Sequence, residues 1–216
     1  GAILRDMAVL YRTNAQSRVL EETFLRNNMP YRLIGGIRFY ERREIKDVLA
    51  YLRLSANPND RISTERVLNT PPRGIGAVLT QKYFAKNQIS QKEQARINVF
   101  LNICAAMQEA YKTKTPSELV RLAIAKSGYE AYLRDGTPEG EERWANVLEL
   151  LSVTSAYDHM GAPIGTDSFL ENAALLSDAD LVDKSADAVH IMTIHAAKGL
   201  EFDNVFVAGL EEGIFP

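Results

Sequence analysis

The chain has 216 residues, 46% of them hydrophobic and 25% charged, with a formal net charge of −3. No apolar run reaches the ~20 residues that cross a bilayer, and no charged, apolar and small-residue leader opens the chain. The single cysteine, Cys104, excludes a disulfide framework and fits a reducing, cytoplasmic compartment.

Met7-Ala8-Val9-Leu10-Tyr11 is a short apolar run of the kind that forms a strand buried on both faces. Asn14 is placed to cap the helix that follows, in which Val19, Leu20, Phe24 and Leu25 fall at helical spacing. Asn27-Asn28-Met29-Pro30 stops that helix, Tyr31–Ile34 reads as a second strand, and Gly35-Gly36 closes a βαβ unit. From Phe39 to about Ala186 the pattern is helical, with breaks at 57–59, 71–72, 114–116, 136–138 and 161–163. The acidic residues 177–187 read as an exposed connection. Residues 188–194 and 204–208 return to strand character. The simplest organisation is an α/β layer built from both chain ends, 1–34 and 187–216, with a helical domain, 35–186, inserted between them. A single mixed α/β domain is the competing organisation, which the length of the helical middle disfavours.

Charge sharpens this division. Residues 1–75 carry 13 Lys/Arg against 8 Asp/Glu, whereas residues 76–216 carry 12 against 20. A phosphate-binding surface, where the chain has one, is expected mainly in the first third; a chance fluctuation on a solvated surface is the competing reading, and charge alone favours it.

Four stretches carry candidate chemistry. In Thr193-Ile194-His195-Ala196-Ala197-Lys198-Gly199-Leu200-Glu201-Phe202, a strand ends in a polar Thr-x-His and a small-residue turn leads to Glu201. In an open α/β sheet, ligands bind beyond the carboxyl ends of the strands, where this turn would sit. In Ala8-Val9-Leu10-Tyr11-Arg12-Thr13-Asn14-Ala15-Gln16-Ser17-Arg18, a strand ends in an aromatic ring and a guanidinium. That pair suits a nucleic-acid strand, the ring packing on a base and Arg12 forking onto a phosphate; Tyr11 as the last core residue of its strand is the alternative. In the stretch from Arg38 to Leu54, Ile45, Val48, Leu49 and Leu52 form a core stripe, while Arg42, Lys46 and Arg53 recur at spacings of four and seven beside it; a solvated helix face salted with Glu44 and Asp47 is the competing account, which the spacing alone favours. In Arg73-Gly74-Ile75-Gly76, two glycines free backbone N–H groups at the start of a helix, with Thr80 one turn further on, and such a turn can hold phosphate without reading sequence; a plain turn between two helices is the alternative.

Together, in this order, the stretches resemble superfamily 1 DNA helicases of the UvrD/PcrA/Rep type, and the resemblance spans nearly the whole chain. The first stretch is similar to that family's motif V, continued by residues 211–216, and the second to its motif IVa. The resemblance implies a partial RecA-like parallel sheet, domain 2A, formed by both chain ends, and a helical domain 2B containing a helix-hairpin-helix element. It implies single-strand contacts from Tyr11, Arg12, Thr193 and His195, and duplex contacts from Arg42, Lys46, Arg53, Arg73, Gly74, Ile75, Gly76 and Thr80. Glu201, with Gly199 beside it, would meet the ribose of ATP. The parent would be an ATP-dependent helicase moving 3′ to 5′, using Mg²⁺, with an N-terminal RecA-like portion (1A/1B), DNA junctions and repair proteins as partners. The expected chain is an excised piece without ATPase activity, because no P-loop and no Asp-Glu strand end occur in it. A stand-alone helical binding module is the reading from a different class, and a helicase–nuclease subunit would need a nuclease motif that is not found.

Overall fold

The computed structural model describes residues 3–178 and 187–211. It divides into two compact units, Gly1–Arg42 with Ala173–Pro216, and Arg43–Asn172.

The first unit is built on a four-stranded, wholly parallel sheet. In chain order it contains β1 (Met7–Tyr11), α1 (Ser17–Arg26), β2 (Tyr31–Ile34) and, after the insertion, two further strands, Val189–Thr193 and Asn204–Val207. With those last two numbered β3 and β4, the order across the sheet is β2-β3-β1-β4. Strand β3 therefore lies between the two strands of the expected βαβ unit, pairing Tyr11 with Thr193 on one side and Tyr31 with Val189 on the other. The chain ends are joined in one sheet. The buried positions lie on β1, β2 and β3, whereas β4 is exposed along its length. On one face, Tyr11, Tyr31 and Ile191 form a core with Val9, Leu20, Phe24, Leu25 and Leu33. The helical start differs from expectation: a 3-10 turn, Asn14–Gln16, precedes α1, and the Gln16 side chain accepts the amides of Arg12 and Thr13.

Residues 35–42, expected in the helical domain, belong to this first unit. Three contacts onto α1 hold them there. The Phe39 amide donates to Glu21 (3.3 Å), the Tyr40 hydroxyl to Glu22 (3.1 Å) and the Arg42 guanidinium to the Ser17 hydroxyl (2.7 Å). Residues 179–186 of the acidic connection lie outside the described residues, as do 212–216 of the motif V continuation.

The second unit is helical: α2 (Arg43–Ala56), α3 (Arg61–Val67), α4 (Ala77–Phe84), α5 (Gln91–Tyr111), α6 (Pro116–Ser127), α7 (Tyr129–Leu133), α8 (Pro138–Ser155) and the start of α9 (Ile164–Asp178). Helix α2 is its axis, packed against α3, α5, α6 and α8. Its stripe of Ile45, Val48, Leu49 and Leu52 is at most 2% exposed. Each such side chain contributes about 1.5–3 kcal/mol on burial. Polar residues on α2 are buried in pairs: Glu44 accepts from Asn146 (2.6 Å), and Asp47 accepts from Tyr129 (2.7 Å). The helix starts follow capping chemistry, with Asp60 taking the Ser63 amide, Thr137 the Gly140 amide and Ser90 the Glu93 amide. The expected breaks fall between helices. A further break at residues 85–90 separates α4 from α5 and turns through Lys86 at φ 54°.

Candidate nucleic-acid interface

The sheet edge is built by register. Because Tyr11 pairs with Thr193, the residues that follow both strands, Arg12 and His195, emerge side by side at the carboxyl ends. The Ile194 amide donates to the Tyr11 carbonyl (2.9 Å), and Arg12 Nη1 lies 3.2 Å from His195 Nδ1. A guanidinium can only donate, so Nδ1 accepts and the neutral ring carries its proton on Nε2. Both residues are exposed. The Thr193 hydroxyl oxygen accepts the Ala196 amide (3.2 Å), starting the turn. That turn closes through Ala197 N–H to the Thr193 carbonyl and Leu200 N–H to the Ala197 carbonyl, with Gly199 at φ +84°. Only glycine takes that conformation without strain. Glu201 follows, exposed, its carboxylate an acceptor in water.

Tyr11 does not join this edge. The ring is 1% exposed, inside the core under α1, so it cannot pack on a base; it is the last core residue of its strand. Burial pushes its phenol up to about 12, with the Glu21 carboxylate adding to the rise.

The second cluster surrounds Gly74-Ile75-Gly76, between α3 and α4. Asn69 Oδ1 accepts two amides of the turn, Arg73 (2.7 Å) and Ile75 (3.1 Å). Arg73 faces inward. Its guanidinium donates to the carbonyls of Val67 (2.9 Å) and Leu68 (3.3 Å) and to the Tyr51 hydroxyl (2.7 Å), and it lies 6.0 Å from the Phe100 ring centre. Tyr51, whose phenol is pushed up to about 12 by burial, donates its own hydrogen bond to the Thr70 carbonyl (2.7 Å). The expectation of Arg73 as a phosphate contact is therefore corrected, since all this places it as a brace. Ile75 is corrected likewise: its side chain is 1% exposed and its amide is taken by Asn69. The Thr80 hydroxyl donates back to the Gly76 carbonyl (3.1 Å), leaving no proton for a phosphate.

The glycines differ in kind. Gly74 has φ +72°, whereas Gly76 sits at φ −77°, ψ 176°, where any residue fits, and an added Cβ would meet nothing within 4 Å. Both are exposed. The Gly76 carbonyl accepts the first bond of α4, from the Thr80 amide, so the amides of Ala77 to Leu79 begin the helix without intrahelical partners.

The basic row on α2 dissolves. Arg42 precedes the helix in extended conformation (φ −61°, ψ 140°), is 6% exposed, and bonds the Ile37 carbonyl and Ser17. Lys46 and Arg53 remain half-buried on one face of α2. Sequence reasoning missed Gln16, Tyr51, Asn69 and Arg96. Of these, Asn69 carried a signal, because an Asn just ahead of Pro71-Pro72 is a turn residue whose side chain takes nearby amides.

The chain matches the UvrD-like helicase C-terminal domain across residues 2–216. The chain belongs to that family. The UvrD-like chain is 41% identical, over its whole length, to the ATP-dependent DNA helicase PcrA of Staphylococcus aureus (strain Mu50 / ATCC 700699). It is 40% identical to the proteins of the same name from Bacillus subtilis (strain 168) and Leuconostoc citreum, over 99% and 98% of its length. It spans about a third, 32%, of each of these relatives. Among the described residues of this UvrD-like chain, no helix is long and apolar enough to cross a membrane.

Proposed function

We propose that this chain is the DNA-holding part of an ATP-dependent DNA helicase that moves 3′ to 5′ in the cytoplasm. The sheet unit, a partial RecA-like domain 2A, takes the single strand. The helical unit, domain 2B, takes the duplex through a helix-hairpin-helix element made of α3, the Gly-Ile-Gly turn and α4.

The observation that carries this reading is the pairing of Arg12 with His195. Two residues 183 positions apart meet at 3.2 Å on the carboxyl edge of a parallel sheet. There they offer a guanidinium, an imidazole Nε2–H and the Thr193 hydroxyl, three donors suited to backbone phosphates. The relatives' name supports the ATP dependence. Glu201 is an exposed carboxylate fit to accept from a ribose hydroxyl, with open space around Gly199 for close approach. ATP supplies the phosphoryl-transfer chemistry. The P-loop and the Mg²⁺ ligands it needs would come from an N-terminal portion (1A/1B) of the same protein.

Single-strand-stimulated ATP turnover by the full-length protein tests this. Arg12→Ala and His195→Ala should each weaken single-strand affinity about tenfold, with a coupling of about 1 kcal/mol between them because they share a hydrogen bond. Blunt-duplex binding should stay intact. Single-strand affinity and stimulation at wild-type level in both variants would overturn the sheet-edge assignment.

A further inference from the structure

The Gly-Ile-Gly turn has lost its expected cation to the interior, yet a second arginine reaches it from another helix. Arg96, one and a half turns into α5, donates from Nη1 to the Gly74 carbonyl (2.9 Å). Its Cδ, Nε and Cζ lie 3.5–3.6 Å from where a Cβ on Gly74 would stand, so the guanidinium covers the turn at ordinary contact distance. Arg96 is exposed, and among the described residues no carboxylate pairs with it. The nearest acid along α5, Glu93, is already engaged by Lys82 (2.9 Å) and by the Ser90 amide (2.7 Å).

The sequence around the turn is also one-sided. From Arg66 to Lys92 there is no Asp or Glu, whereas Arg66, Arg73, Lys82, Lys86 and Lys92 all fall there. Acids from outside the span pair with two of these cations, Asp47 with Arg66 (2.7 Å) and Glu93 with Lys82 (2.9 Å), and Arg73 is turned inward, which leaves Lys86 and Lys92 as the span's contribution to positive charge near the hairpin.

We propose that Arg96 is the cation the hairpin presents to a duplex phosphate, and that Arg73 is its internal brace. This inference rests on the reading of the hairpin as the duplex-binding element. One Arg96 N–H fixes the guanidinium to the Gly74 carbonyl. The remaining four N–H groups face no described acceptor, and the group lies over the exposed Gly74. A fork held in this way loses less freedom on binding phosphate than a free side chain.

Duplex binding by the full-length protein, followed by anisotropy of a labelled blunt duplex across a salt series, tests the proposal. Gly76→Val, which the backbone tolerates and which obstructs only an outside ligand, reports on the hairpin. Arg96→Gln keeps an amide donor for Gly74 and removes the charge; Arg96→Lys keeps the charge and removes the fork. Arg96→Gln should weaken duplex binding about tenfold and flatten the slope of log affinity against log salt by about 0.9, one phosphate contact. Arg96→Lys should restore the slope with part of the affinity, and both variants should melt as the wild type does. If Gly76→Val weakens binding while Arg96→Gln matches the wild type, the proposal fails and the hairpin reading stands. Weakening by Arg96→Gln at unchanged slope would make Arg96 a mere support for Gly74 and also overturns it. If Gly76→Val binds as the wild type does, the hairpin reading fails and this inference falls with it.

Discussion

Replacing Arg73 with alanine separates a structural arginine from a DNA-binding one. The side chain holds two carbonyls and one hydroxyl: Val67, Leu68 and Tyr51. Both carbonyls belong to the C-terminal end of α3, where the last turn has no helical donors left. A cation there also meets the negative end of the helix dipole. Hydrogen bonds from a charged donor are worth about 1.5–3 kcal/mol each, and the three share one group and do not add, so Arg73→Ala is expected to cost about 3–4 kcal/mol. For a domain of this size that is roughly 6–14 °C in melting temperature. The two compact units can unfold in separate steps, so the shift should appear in the transition of the helical unit, followed by calorimetry or by urea unfolding at 222 nm. Arg73→Lys, which reaches one acceptor, should fall between. A melting temperature for Arg73→Ala within a degree or so of wild type, with duplex affinity lost, would refute this account and return Arg73 to the interface.

Two further outcomes follow from buried groups. Burial pushes the Glu21 carboxyl up, against the opposing pulls of the Ser17 hydrogen bond, the Arg42 charge and the Phe39 amide. The folded state then holds this proton to higher pH than the unfolded state, so stability falls as pH rises from the ordinary carboxylate range through the raised value. Glu21→Gln should match the wild type in urea near pH 4 and exceed it at about pH 7; a variant that loses ground as pH rises would show that its partners outweigh burial. The Cys104 thiol, raised to about 11 by burial, should resist iodoacetamide at about pH 8 in the folded protein and react fully in denaturant, as read by mass spectrometry. Labelling of the native protein at the denatured rate would contradict the burial of this face of α5.

Most of the architecture was legible because its signals are local and strong. Central parallel strands must be apolar on both faces, so residues 7–11 and 189–193 stand out as short apolar runs. Four helix boundaries were marked by Pro116, Pro138, Pro163 and the 57–59 turn, residues that cannot continue a helix or favour its first turn. The break at 85–90 was missed because it contains no Pro or Gly, and Lys86 takes the left-handed conformation without advertising it. Arg42 was misplaced for a related reason. Counting in fours put it on the helix face, but the helix starts at Arg43, and one residue of extended backbone turns the side chain into the first unit. Tyr11 shows the limit of strand reading: whether a terminal ring is core or platform depends on what covers it, and that is decided by where α1 crosses.

The pair Arg73 and Arg96 shows why the site was less legible than the fold. A cation next to a glycine turn in sequence is ambiguous, because the turn has orphan acceptors on its inner side and an outside ligand would approach its outer side. Arg73 immediately precedes Gly74, and its side chain folds back onto carbonyls five and six residues earlier, at the end of α3, where the Val67 carbonyl also takes the Thr70 amide. Adjacency therefore favours the inner role. Arg96 is 22 residues away and arrives on a separate helix, with its carrier already capped by Ser90 and Glu93. Only after α5 packs against α2 does its side chain lie over Gly74. If short-range cations brace such turns and long-range ones face outward, the cation nearest in sequence to a phosphate-binding turn is the poorer choice for the binding residue. That is what comparing Arg73→Ala with Arg96→Gln, stability against affinity, decides.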